Sequence, residues 1–189
     1  LCTNSISIIS GELPPAEEFF RHSDRVGLGT DQAPGNNCNM MWNEMKYCAL
    51  IHKYKNQDAT RFPAWKVLRM ATIDAAKTLG MEDKIGSLRA GKLADVIVVD
   101  LSPAHLNPIL EYPVRNLSPN LVYSARGVEV ETVIIDGRVV IDNHKLLTVN
   151  EEAAVRAANE AVKRFEKELS QQTWASSLPL AKLTEKGYY

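Results

Sequence analysis

The sequence has no long apolar run and no excess of charge of either sign. None of its hydrophobic stretches approaches the roughly 18 residues that a membrane-spanning helix needs, so we expect no membrane segment. The chain of 189 residues carries 22 basic and 23 acidic side chains, which leaves a formal net charge of −1. That balance offers no attraction for nucleic acid or for an anionic membrane surface. We therefore predict neither of these partners.

Cysteine is scarce as well, and the three that are present are Cys2, Cys38 and Cys48. An odd number of cysteines without C-x-x-C spacing does not fit a disulfide framework. Free thiols are typical of a reducing compartment, so the sequence predicts a cytoplasmic protein.

The short motifs of several enzyme classes are also missing. The chain has no G-x-S-x-G nucleophile elbow, no P-loop and no G-x-G-x-x-G turn. Its four histidines form neither H-x-H nor H-E-x-x-H, and they are His22, His52, His105 and His144. A metal site built from local spacing alone is therefore not expected.

What is present is a short buried strand, predicted over 25–31, that ends in a carboxylate. Val26 and Leu28 favour a strand, and the loop that follows is rich in residues that end one. An acid at the carboxyl end of a buried strand is where α/β barrels place catalytic groups. Asp31 is thus a candidate catalytic acid, and a cap for the next turn is the alternative.

Helical spacing organises the chain on both sides of this strand. One face of the longest predicted helix in the first half carries side chains suited to a core: Met41, Met45, Cys48 and His52. This helix is predicted to begin at a cap, Asn36 or Asn37, and to end at about Lys55. Three shorter helices are predicted over 16–21, directly after Pro63, and over 73–79.

The pattern changes to strands after Gly80 and returns to a helix near the C-terminus. Strands are predicted over 94–100, 121–123, 132–135 and 138–141, with Asp136-Gly137 as a two-residue hairpin turn. Thr148 and Glu151 form a capping box that begins a C-terminal helix. An apolar stripe is predicted on that helix at Val155, Ala158, Val162, Phe165 and Leu169. Residues 171–189 are predicted to be an arm or a loosely ordered tail.

Several motifs in this order resemble the amidohydrolase superfamily. The resemblance is to its branch of methylthioadenosine/S-adenosylhomocysteine deaminases and s-triazine chlorohydrolases, and it covers roughly residues 3–168. The motifs that carry it are Gly27-Leu28-Gly29-Thr30-Asp31, Asn36-Asn37, Asn43-Glu44-Met45-Lys46, Ala71-Thr72-x-x-Ala75-Ala76-x-x-Leu79-Gly80, Ile85-Gly86-Ser87-Leu88-x-x-Gly91-Lys92-x-Ala94-Asp95-x-Ile97-x-x-Asp100 and Val133-Ile134-Ile135-Asp136-Gly137-Arg138-Val139-Val140. Two departures, Asn4-Ser5 in place of Ser-Asn and Gly35 in place of Ser, concern the substrate and not the superfamily.

The resemblance implies an α/β fold, a (β/α)8 TIM barrel beside a small β-sandwich. It implies a Zn²⁺ or Fe²⁺ ion held by histidines on earlier strands and by the Asp that ends the eighth strand. Asp31 matches that Asp, which makes it both a metal ligand and a catalytic proton acceptor. Asn36 and Asn37, in the loop that follows, become candidates for substrate contacts. The substrate implied is a small heterocycle such as an aminopurine, a triazine or another cyclic amidine.

A barrel needs about 250 residues, so this chain is expected to be the C-terminal portion of such an enzyme. We assign residues 1–80 to the last strand and helices of the barrel, 81–147 to part of the sandwich, and 148–189 to the C-terminal helix and tail. The expected partners are the missing N-terminal part of the enzyme and further copies of the chain in a homo-oligomer. The isolated chain is expected to be inactive.

Two other functions stay open at this point. One is a non-catalytic structural or interaction fragment that binds no metal on its own. The other is part of a guanine deaminase-like enzyme.

Overall fold

Helices occupy most of the first 80 residues, and a small sheet follows them, in the computed structural model, which describes residues 1–187. The helices are α1 (Thr3–Ser10), α2 (Ala16–His22), α3 (Ala33–Asn36), α4 (Met41–Asn56), α5 (Ala64–Met70), α6 (Ile73–Thr78), α7 (Leu117–Pro119), α8 (Glu151–Ser170) and α9 (Pro179–Glu185). The strands are β1 (Val96–Val99), β2 (Val130–Ile135), β3 (Arg138–Asp142) and β4 (Lys145–Leu146). No helix within residues 1–187 is both long enough and apolar enough to cross a membrane.

Backbone contacts divide the chain into two units, Leu1–Lys145 and Leu146–Tyr189. The first unit contains α1 to α7 and the first three strands. The second contains α8 and α9. The predicted divisions at residues 80 and 147 remain a proposal about the complete enzyme.

The core of the first unit lies against one face of α4. Met45, Cys48 and His52 are at most 2% exposed, and Met41 packs at the edge of the same cluster. The predicted apolar face of this helix is therefore confirmed. Val26 and Leu28, from the segment before Asp31, pack into the same cluster.

Residues 26–28 of the segment 25–31 are buried as predicted, but the segment forms no strand. Leu28 N donates to Met70 O at 2.9 Å. The other backbone pairing is to Leu1, whose amino group donates to Gly27 O at 2.6 Å and whose carbonyl accepts from Gly29 N at 2.9 Å. Two such bonds to residues on either side of Leu28 are the pattern of a parallel pair. One paired residue cannot make a ladder, so the strand prediction is wrong for this structure.

The start of α4 also differs from the prediction. Asn36 and Asn37 end α3 instead of capping α4, which begins at Met41 without a side-chain cap. Asn37 has a φ of +66°, a left-handed conformation that asparagine tolerates. The Asn36 amide is already engaged in other hydrogen bonds, which are described below.

The four strands form one sheet in the order β1-β2-β3-β4, and the β1–β2 and β2–β3 pairs are antiparallel. The hairpin turn at Asp136-Gly137 is confirmed, with positive φ at both residues. The run 121–123 is not a strand but part of a π-helical turn, Asn120–Ser124, and it buries Val122 completely. A three-residue apolar run fits a strand and a helical turn equally well, so periodicity did not separate them. The strand predicted over 94–100 is shorter, and its Ile97 and Val98 are each almost half exposed.

In the second unit, the N-cap of α8 lies two residues after the predicted cap. Asn150, not Thr148, is the N-cap, and its side chain accepts the N–H of Ala153 at 2.9 Å. Asparagine is a stronger N-cap than threonine, which explains the shift. Val155, Val162 and Phe165 of the apolar stripe are more than half exposed. The predicted tail contains a 3-10 turn (Ala175–Ser177) and α9, while its last residues, Tyr188 and Tyr189, lie outside the described residues.

An ion-pair cluster joins α6 to α5. The Asp74 carboxylate is 4% exposed and accepts from Lys66 Nζ at 3.0 Å and Arg69 Nη2 at 2.8 Å. Burial alone would raise the pKa of Asp74, but the hydrogen bonds and charges of Lys66 and Arg69 hold it below its usual value. The charged form of Asp74 therefore stabilises the fold.

We expect Asp74→Asn to lower the free energy of unfolding by about 2 kcal/mol near pH 7, because it leaves two cations without their buried partner. Since the folded-state pKa lies below the unfolded value of about 3.9, this stabilisation is present above pH 5 and is lost as the pH falls through the folded pKa. The measurement is urea unfolding of both proteins from pH 7 to pH 3. Asp83→Asn, at an exposed position, is the control. A difference between Asp74→Asn and wild type that does not shrink below pH 4 would contradict this assignment.

Candidate functional site around Asp31

Asp31 presents its carboxylate at the surface, directly after the buried segment that contains Val26 and Leu28. Its φ of +63° turns the chain sharply away from that segment. Aspartate is among the few residues that adopt this left-handed conformation readily. The carboxylate is therefore held at a fixed point of the backbone and remains accessible.

A buried hydroxyl orients this carboxylate. Ser5, on α1, donates from Oγ to Asp31 Oδ2 at 2.6 Å, although the two residues are 26 positions apart. This hydrogen bond, followed by the backbone N–H of Gln32, lowers the pKa of Asp31. Asp31 is consequently ionised at neutral pH, which suits a metal ligand or a proton acceptor.

The helix that carries Ser5 is fixed at its N-terminus by a second acid, Glu44 of α4. The Glu44 carboxylate is fully buried and accepts the backbone N–H groups of Thr3 and Asn4. Cys2, at the N-cap position, supplies no side-chain cap, so Glu44 takes that role from another helix. Burial raises the pKa of Glu44, and the N–H groups of Asn4 and Thr3 offset part of that rise.

Asn36 joins these elements through its side-chain amide. Its Oδ1 accepts from Asn4 Nδ2 at 2.7 Å, and its Nδ2 donates to the carbonyl of Thr30 and, at 3.5 Å, to Glu44 Oε2. Asn36 is 3% exposed, whereas Asn37 is exposed. Of the two predicted loop residues, Asn36 thus holds the backbone before Asp31, and Asn37 is accessible to a ligand.

Two residues of this site were missed when the sequence was considered alone. Glu44 had a usable signal, since it is an acid on the apolar face of α4, beside Met41, Met45 and Cys48. A charge at such a position is almost always paired. Ser5 had no local signal, because nothing around it in the sequence points to Asp31.

Asp31 fits zinc as one carboxylate ligand, but a zinc site takes at least three protein ligands. Within residues 1–187 no group of three or more His, Cys, Asp or Glu side chains could hold a metal ion. The histidines have other surroundings: His52 stacks on Phe62 at 4.7 Å, and His105 bonds to Glu129 at 2.6 Å. The described residues therefore offer one candidate ligand, Asp31, and no complete ligand set.

Comparison with known proteins places the chain among relatives. Residues 1–140 match the model of the Amidohydrolase family. The chain is 40% identical over 162 residues to a 5-methylthioadenosine/S-adenosylhomocysteine deaminase of Desulforudis audaxviator, and the match covers 86% of this chain and 36% of that protein. It is 39% identical over 162 residues to a 5'-deoxyadenosine deaminase of Methanosarcina acetivorans, with the same coverage.

Solved structures show the same relationship. An adenosine deaminase from Xanthomonas campestris with bound zinc is 31% identical and superposes with a TM-score of 0.80, over 88% of this chain and 37% of that one. An atrazine chlorohydrolase from Arthrobacter aurescens complexed with zinc, 22% identical, shares the fold with a TM-score of 0.71 over 83% of this chain and 34% of that one. The chain thus spans about a third of the length of the relatives it matches.

Proposed function

The chain belongs to the amidohydrolase family, and we propose that it is the C-terminal part of a longer, metal-dependent hydrolase that cleaves C–N bonds of small heterocycles. Aminopurine nucleosides are the proposed substrate class, because the relatives at 36% to 40% identity are named as deaminases of such compounds. Triazines and guanine are less favoured as substrates, since the structural neighbours named for them, a chlorohydrolase and a guanine deaminase, are only 21% to 22% identical. The cytoplasmic location and the homo-oligomer remain predictions.

The observation that carries this proposal is the presentation of Asp31. Its carboxylate is accessible, has a lowered pKa and is oriented by a buried hydroxyl. Asp58 and Asp100 also have a lowered pKa, but each bonds to an exposed hydroxyl two residues along the chain, as a turn cap does. The hydroxyl that holds Asp31 is buried and 26 positions away, which a turn cap does not require. The parallel-type pairing of Leu28 with Leu1 favours a place for this segment in a parallel sheet, as the last strand of a (β/α)8 barrel.

In the proposed enzyme, Asp31 provides one ligand oxygen to a zinc ion, and iron is the alternative metal. Bound zinc supplies a water whose pKa is lowered to near 7. Asp31, being ionised, accepts a proton at its carboxylate during hydrolysis. Ser5 and Asn36 hold Asp31 and the backbone before it, and Asn37 is available for contact with the substrate.

The proposal predicts that the full-length natural protein and the isolated 189-residue chain differ in zinc content and in activity. The full-length protein should hold about one zinc per active site and release ammonia from 5'-deoxyadenosine or 5-methylthioadenosine, because a complete ligand set binds the metal. The isolated chain should hold substoichiometric zinc and release no ammonia, because one carboxylate does not retain the ion. Metal analysis after dialysis and an ammonia assay measure both.

Tight one-to-one zinc in the isolated chain would contradict the incomplete ligand set. A full-length protein without metal and without hydrolase activity would favour the structural or interaction fragment instead. Faster release of ammonia from guanine than from adenine nucleosides would move the proposal to the guanine deaminase-like alternative.

A further inference from the structure

We propose that Ser5 is the positioning residue of Asp31 in this site, and that Gly35 provides the space in which their hydrogen bond forms. This inference rests on the proposed function, since it concerns how the Asp31 carboxylate is aimed at the metal. It assigns to α1 and to the α3 turn a role beyond packing.

The three serines of α1 behave differently, and the difference singles out Ser5. Ser7 Oγ donates to the carbonyl of Thr3 at 2.8 Å, and Ser10 Oγ donates to the carbonyl of Ile6 at 2.9 Å. Both bonds lie within the helix, four residues back, which is the ordinary choice for a helical serine. Ser5 instead donates out of the helix to Asp31 Oδ2.

The Ser5–Asp31 bond is short and is shielded at one end. A distance of 2.6 Å is typical of a hydroxyl that donates to a charged carboxylate. Ser5 is fully buried while Asp31 is exposed, so the hydroxyl approaches the carboxylate from the protein side. The bond therefore limits rotation of the carboxylate and leaves its solvent side open to a ligand.

Gly35 lies against both members of the bond. A Cβ at residue 35 would be 2.8 Å from Ser5 Oγ, 3.1 Å from Asp31 Oδ2 and 3.2 Å from Ile9 Cδ1. The first distance is shorter than real Cβ contacts, and the other two are tighter than most of them, so an alanine at this position would displace Ser5 Oγ and crowd Asp31 Oδ2. Gly35 does not have a positive φ, which means that space, and not backbone conformation, accounts for the glycine.

Further hydrogen bonds hold α1, the helix that carries Ser5, in place relative to Asp31. Glu44 holds the first N–H groups of α1, and Asn36 connects Asn4 to the carbonyl of Thr30, the residue before Asp31. The hydroxyl and the carboxylate are thus tied to the same hydrogen-bonded network. Small displacements of α1 relative to Asp31 are restricted at both ends of the Ser5–Asp31 bond.

The test is a double-mutant cycle in the full-length natural protein loaded with zinc, using Ser5→Ala, Gly35→Ala and the double variant. The readouts are zinc affinity in a chelator competition, and kcat and KM for ammonia release. We expect Ser5→Ala to weaken zinc binding at least 10-fold and to lower kcat by about 10-fold with little change in KM, as for other residues that orient a metal ligand. Gly35→Ala should have a similar effect, and the double variant should lose less than the two single effects combined, because the shortest contact of the added methyl group, with Ser5 Oγ, is then absent.

Ser7→Ala is the matched control on the same helix and should leave zinc affinity and kcat unchanged. A Ser5→Ala protein with wild-type zinc affinity and kcat would overturn the inference, even if its melting temperature falls, since a purely structural role predicts that combination. Fully additive effects of the two substitutions would also overturn it. A wild-type protein that binds no zinc would overturn the proposed function, and this inference with it.

Discussion

Asp31→Asn in the full-length enzyme should lower kcat by about 10³-fold while the fold stays intact. The amide is neutral, so it is a poor ligand for a divalent cation and cannot accept the proton that a carboxylate accepts. The fold should survive because asparagine tolerates the φ of +63° as well as aspartate does. The carboxylate is also exposed, and the amide oxygen of asparagine can still accept the hydrogen bond of the buried Ser5 hydroxyl.

The measurements for Asp31→Asn are ammonia release at saturating substrate and thermal unfolding. Asp24→Asn is the matched control, because Asp24 is exposed and precedes the segment that Asp31 ends. It should retain wild-type activity. Near-normal turnover by Asp31→Asn would remove Asp31 from the mechanism and return it to the role of a turn cap.

The second large effect is expected at Glu44, and it is one of stability. Glu44→Ala should lower the free energy of unfolding by about 3 kcal/mol, because it leaves the N–H groups of Thr3 and Asn4 without this acceptor and removes one of the two acceptors of the Asn36 amide. Glu44 also places negative charge at the positive N-terminus of α1, which adds to the loss. Glu44→Gln keeps the side-chain volume and one acceptor, so its cost should be smaller.

Urea unfolding of the 189-residue chain measures these differences. Glu111→Ala, at an exposed loop position, is the control and should change the unfolding free energy by less than about 0.5 kcal/mol. If Glu44→Ala unfolds at the wild-type urea concentration, Glu44 does not anchor α1, and the support described for Ser5 loses its basis.

Much of the helical part could be predicted because its signals are local. The face of α4 follows from spacing within a single helix, and the turn at Asp136-Gly137 follows from two adjacent residues. The segment 25–31 shows the limit of such signals. Its apolar side chains predicted burial correctly, but strand pairing depends on neighbouring backbone, and this segment bonds to the backbone of Leu1 and Met70 without forming a ladder.

In the candidate site, too, the residue with a local signal could be predicted from the sequence and the residues that depend on distant contacts could not. Asp31 stood out because its own neighbours mark it as an acid at the end of a buried segment. Ser5 and Glu44 became visible only in three dimensions, since their partners lie 26 and about 40 residues away. Contacts over such separations depend on how the helices pack, and a single sequence carries little information about that packing.

The central claim is that Asp31 is one ligand of a metal site whose other ligands lie outside this chain. A crystal structure of the full-length protein, with anomalous scattering recorded at the zinc edge, tests it most directly. The claim predicts a single strong peak about 2.0 to 2.2 Å from a carboxylate oxygen of Asp31, with histidines from the preceding part of the protein completing the coordination. A zinc peak bound by other residues, with Asp31 free in solvent, would contradict it.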